Sequence, residues 1–114
     1  MSLLKLIALS ISVLFCTAVF AQTNTVKFVV PGNCGMCKNK IEDAALIKGV
    51  RLAQWNKITD TLTVYFKPEK TTLENIQQSI ADAGYDTPLF KATAPSYEAL
   101  PACCSYREES AEKH

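Results

Sequence analysis

The order in which strand-like and helix-like patterns follow one another most constrains the fold of this chain. Four segments are predicted to be strands, from their alternating apolar residues or from their place between turns and helices. They are Thr25 to Val30, Val50 to Trp55, Thr61 to Phe66 and Tyr85 to Phe90. Two segments repeat apolar residues at helical spacing, from about Gly35 to Ile47 and from the capping box Thr71-Thr72-Leu73-Glu74 to Gly84. The order is therefore strand, helix, strand, strand, helix, strand.

This order predicts an α+β fold with a ferredoxin-like βαββαβ topology. The segments between Val50 and Phe66 are close enough to form a hairpin, so the sheet is antiparallel and both helices cover one of its faces. Pro88 favours an edge position for the last strand. Residues 91–114 differ in character and predict a short C-terminal extension, partly ordered around Tyr97 and Leu100.

Length and charge exclude several functional classes. A chain of 114 residues has room for one domain, and a hydrophobic share of 48% with 20% charged residues predicts a folded core. The formal net charge is +1 and the basic residues are spread along the chain, so a nucleic-acid partner is not expected. His114 is the only histidine, which excludes a Ser-His-Asp triad, and we expect no enzymatic activity.

The N-terminus has the layout of a secretory signal peptide. Lys5 precedes an apolar run from Leu6 to Phe20, and the small residue Ala21 follows, which predicts cleavage after Ala21. A retained anchor is disfavoured because a spanning helix needs roughly 20 apolar residues. Lipidation at Cys16 is disfavoured by the bulky Phe15. We therefore predict a signal peptide at 1–21, a folded domain at 22–90, a Cys-containing extension at 91–114, and a periplasmic or secreted product.

Two thiols stand at the predicted junction between the first strand and the first helix. Cys34 and Cys37 are three positions apart, so both sulfurs can turn toward one point in an exposed turn. The free N–H groups and the positive end of a helix favour thiolate there. Paired thiolates suit Cu(I), or Zn(II) and Hg(II) with added ligands. Redox chemistry and a structural disulfide are alternative uses of the same pair.

Element order argues against a thioredoxin-like oxidoreductase. Such chains usually carry Trp before the first Cys and need a cis-Pro beside the active site. Here Asn33 precedes Cys34, Trp55 lies in the hairpin, and Pro88 is explained by its edge position. A thiol-disulfide redox module that uses Cys34 and Cys37 stays the alternative interpretation.

From about Thr25 to Phe90 the sequence resembles the heavy-metal-associated domain family. The resemblance rests on the Cys34/Cys37 pair, the following helix with Ile41, the Gly49-Val50 entry into the hairpin and the Gly84-Tyr85 pair. It implies that Cys34 and Cys37 bind the metal and that Tyr85 shields the site.

The chain departs from the family pattern at one place beside the cysteines. The family usually has Met two residues before the first Cys, whereas this chain has Gly32 there and Met36 between the thiols. We expect Met36 to pack or to face solvent rather than to act as a thioether ligand.

A second pair of thiols, Cys103 and Cys104, lies in the extension. Adjacent cysteines do not easily form a disulfide with one another. They are candidate additional ligands of the Cys34/Cys37 site, ligands of a separate site, or disulfide partners. His114 is interpreted as a solvated terminal residue.

The sequence thus predicts an exported protein that binds a soft metal ion and transfers it by thiolate ligand exchange. Copper as Cu(I) is the first choice, Hg(II) the second and Zn(II) the third. The expected partner is a metal-transporting membrane protein or another metal-binding domain, with no stable membrane insertion of this chain after cleavage.

Overall fold

The structure of this protein is a computed structural model that describes residues 22–108. The predicted signal peptide at 1–21 and His114 lie outside the described residues. No helix within residues 22–108 is long and apolar enough to cross a membrane.

The main elements follow in the predicted order. They are β1 (Asn24–Val29), α1 (Gly35–Ala45), β2 (Val50–Trp55), β3 (Thr61–Phe66) and α2 (Leu73–Asp82). The extension adds the short helix α3 (Ala94–Glu98) and a 3-10 helix (Ala102–Cys104). The predicted α+β, ferredoxin-like fold class is confirmed.

The sheet is antiparallel with β3 between β1 and β2. Phe28 of β1 stands opposite Leu62, and Ala53 of β2 stands opposite Val64, so the apolar sets of all three strands share one face. The register shifts between Val50 and Leu52, where β2 contains one extra residue. This alternation explains why the strand bounds were predictable from sequence.

The core lies between that sheet face and the two longer helices. Ile41 and Ala45 of α1, with Ile76 and Ile80 of α2, pack against the sheet and are almost completely buried. Burial of an isoleucine side chain stabilises the fold by about 1.5–3 kcal/mol. Since Cys37 lies one helical turn before Ile41, the same packing draws its thiol inward.

The predicted fourth strand is not formed within residues 22–108. Thr87 instead closes a tight turn, because its N–H and hydroxyl donate to the Phe90 carbonyl and its hydroxyl accepts from the Phe90 N–H. Pro88 has no N–H to donate to a ladder, and the N–H of Leu89 donates to Gln77 Oε1 of α2. The segment from Tyr85 to Phe90 therefore follows the helix layer rather than the sheet edge.

Gly84 ends α2 in the geometry of a Schellman motif. Its φ is +108°, its N–H donates to Ala81, and the N–H of Tyr85 donates back to Ile80. A glycine adopts this conformation without the clash that a Cβ would cause. The reversal directs Tyr85 into the core, where its side chain is fully buried.

Candidate metal centre

Cys34 occupies the N-cap position of α1, where backbone N–H groups have no helical acceptor. Its backbone is extended (φ −144°, ψ 179°). Within the described residues, the first turn of α1 has no acidic side chain that could accept hydrogen bonds from its free N–H groups. Burial acts to raise the Cys34 pKa. Hydrogen bonds from the N–H groups of Cys37 and Met36 and from the Cys37 thiol outweigh it, and they lower the pKa from 9.0 to about 7.

Cys37 lies in the first turn of α1 and is completely buried. Its sulfur is 3.7 Å from the sulfur of Cys34. The predicted convergence of the two thiols is therefore present. It follows from the placement of one sulfur at the cap and the other three residues later on the same helix edge.

A third sulfur from the extension completes a cluster. The Sγ atoms of Cys34, Cys37 and Cys104 all lie within 4.8 Å of one another. Cys103 stays outside this cluster, with its exposed sulfur 3.9 Å from Cys104 Sγ and 3.8 Å from Met36 Sδ. All four cysteines within residues 22–108 are free thiols. The structure thus distinguishes Cys104, which joins the cluster, from the adjacent Cys103, which does not.

The expected exposed turn is not observed, because Cys34 is 8% exposed and Cys37 is fully buried. The extension accounts for the difference. Cys104 is buried against α1, and the Cys34 thiol donates to the Cys103 carbonyl at 3.7 Å. The 3-10 helix of the extension thus lies against the cysteine loop.

Tyr85 borders the cluster on the side of the core. Its hydroxyl is buried and has no hydrogen-bond partner among residues 22–108. Burial first, and then the neighbouring Cys104 and Cys37 side chains, raise the pKa of Tyr85 far above its usual range. Burial is also the main cause of the raised pKa of the Cys104 thiol. The site therefore combines the readily ionised Cys34 thiol with a neutral Cys104 thiol and a neutral Tyr85 hydroxyl.

Trp55 fills the space under the cysteine loop. A Cβ on Gly32 would lie 2.9 Å from the indole Cζ2 and 3.2 Å from Ile41 Cδ1. The ring is 2% exposed, and its N–H donates to the Val30 carbonyl at 2.9 Å. Trp55 is therefore a packing residue of the core. Its indole occupies the room that a side chain at position 32 would need.

The extension is attached to the domain by Tyr106. Its hydroxyl donates to the Gly84 carbonyl at 2.8 Å and accepts from the Asp86 N–H at 2.9 Å. The ring stacks on Tyr85 with centroids 5.6 Å apart, and Tyr97 meets it edge-on. These contacts lie two residues after Cys104, so they hold its sulfur in place.

A charged contact adds to this attachment. Arg107 donates to both carboxylate oxygens of Asp86 and to the Ala92 carbonyl, and its guanidinium lies 4.6 Å from the centroid of the Tyr97 ring. Asp86 also accepts from the Ala92 N–H. No periodic pattern or motif links residues 86 and 107, so these contacts were not predicted from the sequence.

Sequence comparison identifies curated relatives over about half of this chain. No protein-family model matches it. The chain is 34% identical over 55 residues to the copper chaperone CopZ of two strains of Staphylococcus epidermidis. The alignment covers 47% of this chain and 81% of CopZ.

Solved structures with the same fold include a CopZ metallochaperone, with 30% identity, a TM-score of 0.54, and coverage of 56% of this chain and 98% of that one. Oxidized MerP from Ralstonia metallidurans CH34 is 31% identical at a TM-score of 0.55, with 58% and 94% covered. The N-terminal domain of a potential copper-translocating P-type ATPase from Bacillus subtilis, in its Cu(I)-loaded state, is 28% identical at 0.55, with 58% and 85% covered. With this identity and coverage, the chain belongs to the heavy-metal-associated domain family.

Proposed function

We propose that this protein binds one soft cation through Cys34 and Cys37 and passes it to another thiolate-bearing protein. The observation that carries the proposal is the pair of sulfurs 3.7 Å apart at the start of α1. The lowered Cys34 pKa of about 7 provides a thiolate at neutral pH. Thiolates at such a separation are suitable ligands for a polarisable ion and poor ones for Mg²⁺ or Ca²⁺.

Cu(I) is the cation we propose first. The CopZ relatives are described as copper chaperones, and the Bacillus subtilis ATPase domain was solved in a Cu(I)-loaded state. Hg(II) follows, because it also accepts few thiolate ligands. Zn(II) is third, because it prefers four ligands and the described cluster offers three sulfurs.

The proposed partner is a metal-transporting membrane protein or another metal-binding domain. P-type ATPase domains among the structural neighbours support this choice. Transfer needs no catalysis, since an incoming thiolate binds the ion before an original sulfur leaves. We also propose export, supported by the signal-peptide pattern of residues 1–21. N-terminal sequencing of the protein recovered outside the cytoplasm should begin at Gln22, and recovery of the protein in the cytoplasm alone, with Met1 intact, would contradict export.

The proposed binding is tested by anaerobic titration of the reduced protein with Cu(I) against a chromophoric competitor. We expect about one Cu(I) per chain for the unchanged protein. The Cys34→Ser/Cys37→Ser double variant should lose that site, because it retains neither of the two α1 sulfurs.

The single variant Cys103→Ser is the matched control, since its sulfur is exposed and lies outside the three-sulfur cluster. Its Cu(I) affinity should stay close to that of the unchanged protein. An unaltered Cu(I) affinity in the Cys34/Cys37 double variant would refute the proposed site.

A thiol-disulfide redox module is the second candidate, favoured by the same 3.7 Å separation of sulfurs. An S–S bond requires the two atoms to approach to about 2.05 Å, which is a small movement for a cap residue. The reduced protein would then reduce a disulfide substrate repeatedly when a dithiol regenerates it. Turnover without metal would favour this candidate, and stoichiometric reduction alone would disfavour it.

A further inference from the structure

We propose that Cys104 supplies a third thiolate to the cation held by Cys34 and Cys37, so that the extension is part of the metal site. This inference rests on the proposed function. It goes beyond the two-sulfur site because it assigns a ligand from outside the domain that resembles the relatives. It also distinguishes Cys104 from the adjacent Cys103.

The first argument is geometric. The three Sγ atoms lie within 4.8 Å of one another, which places a point between them within reach of all three after small side-chain rotations. Cys104 is completely buried and is directed toward α1, whereas Cys103 is exposed and lies beside Met36. Adjacent residues in a 3-10 helix point in different directions, and this chain turns residue 104 inward.

The second argument is the rigidity of the attachment. The 3-10 helix is followed directly by Tyr106 and Arg107, whose hydrogen bonds to the Gly84 carbonyl and the Asp86 carboxylate join it to the end of α2. Before the 3-10 helix, Leu100 packs against the core beside Gly84. The segment is thus held at both ends of the site, which reduces the entropy lost when Cys104 binds an ion.

The third argument is the buried Tyr85 hydroxyl. A buried hydroxyl without a hydrogen-bond partner destabilises the fold. It lies beside the Cys104 and Cys37 side chains. A metal-bound thiolate is a better hydrogen-bond acceptor than a neutral thiol, so the Tyr85 hydroxyl is placed to donate to a sulfur of the loaded cluster.

The binding step is balanced in protons and charge. Each sulfur that is still protonated releases its proton to solvent as its bond to the cation forms, and no electron is transferred. Three sulfurs around Cu(I) give a trigonal site in place of a nearly linear one. During transfer, an incoming thiolate forms a bond to the cation as the bond to Cys104 breaks, so the coordination number stays at three.

X-ray absorption at the copper edge tests the proposal on the full chain, reduced and loaded with one Cu(I). We expect three sulfurs around the ion in the unchanged protein and in the control Cys103→Ser. In Cys104→Ala we expect two sulfurs and a loss of roughly tenfold or more in Cu(I) affinity, because even residues that only support ligands typically contribute 10–100-fold.

Two sulfurs in the unchanged protein, or an unaltered sulfur count in Cys104→Ala, would overturn the third ligand. Either result with Cu(I) affinity still dependent on Cys34 and Cys37 leaves the proposed function standing, so the two failures are distinguishable. Cys104→Ser serves as a second variant if the alanine destabilises the tail. Circular dichroism of each apo variant shows whether the fold is retained.

Discussion

Gly84 is the single residue on which the core and the extension both depend. Its φ of +108° ends α2, and a Cβ there would lie 2.7 Å from the Ser96 carbonyl oxygen and 2.9 Å from Leu100 Cγ. The same atom would therefore strain the backbone and displace α3. Because Tyr85 follows directly and Tyr106 binds the Gly84 carbonyl, the effect would extend to the thiol cluster.

We predict that Gly84→Ala lowers the free energy of unfolding by about 2 kcal/mol or more. A side chain in the left-handed region costs about 1–2 kcal/mol, and the contact with Ser96 adds to it. Urea unfolding of the reduced apo protein measures the change.

Gly35→Ala is the matched control, because a Cβ at Gly35 would meet no atom within 4 Å apart from its own residue, its chain neighbours and the backbone of its own helix. Its position at the start of α1 favours Ala or is neutral to it. A loss of stability in Gly35→Ala equal to that in Gly84→Ala would contradict the assigned role of Gly84.

Helix α2, unlike α1, has a side-chain cap at its N-terminus. The Thr72 hydroxyl accepts from the Asn75 N–H at 3.2 Å, so the cap lies one residue later than Thr71, with which the capping box begins. Thr71 is instead buried beneath the loop at Gly49, where a Cβ would approach its side chain to 3.1 Å. Thr72 caps the helix because Thr71 is packed in the core. The capping-box motif does not show which of two adjacent threonines will be buried.

Thr72→Ala should therefore cost about 1 kcal/mol of stability, the usual contribution of a hydroxyl N-cap. Thr72→Ser keeps the acceptor oxygen and should lose far less. Thermal unfolding of the two apo variants gives the comparison. Equal losses in both would show that the methyl group, rather than the cap hydrogen bond, carries the effect.

Across the folded chain, the Asp86–Arg107 contact makes the attachment of the extension sensitive to acid. Burial acts to raise the pKa of Asp86, but the hydrogen bonds from Arg107 and from the Ala92 N–H outweigh it and hold the pKa below 3.8. Lys91 adds a smaller effect in the same direction, and Arg107 also faces Tyr97 and Tyr106. A carboxyl group with a lowered folded-state pKa stabilises the fold above its unfolded pKa.

That stabilisation is complete above the ordinary Asp pKa of 3.8 and is lost as pH falls through the lower folded-state value. We expect the unchanged protein to lose more stability between about pH 5 and pH 2 than the variant Asp86→Asn, which cannot ionise. Thermal unfolding at intervals of pH measures both. Parallel pH profiles for the two proteins would contradict a charged Asp86–Arg107 contact.

Local patterns predicted most of the elements because each depends on neighbours in the sequence. The bounds of β2 and β3 follow from the alternation of Leu62, Val64 and Phe66 against one core. The approach of Cys34 to Cys37 follows from their spacing at a helix start. The prediction of a last strand at Tyr85 to Phe90 was wrong. The segment forms a turn between Thr87 and Phe90 instead, and this turn is supported by Gln77 of another element.

The sequence by itself determined the order of elements, the end of α2 at Gly84 and the meeting of the first two thiols. The tertiary structure alone decided that the extension returns over the cysteine loop, that Cys104 rather than Cys103 faces the cluster, and that the pair is buried. Helical spacing and strand alternation act over a few residues, whereas the Tyr106 and Arg107 contacts join residues about 20 positions apart. Such contacts depend on where the folded backbone brings complementary groups together.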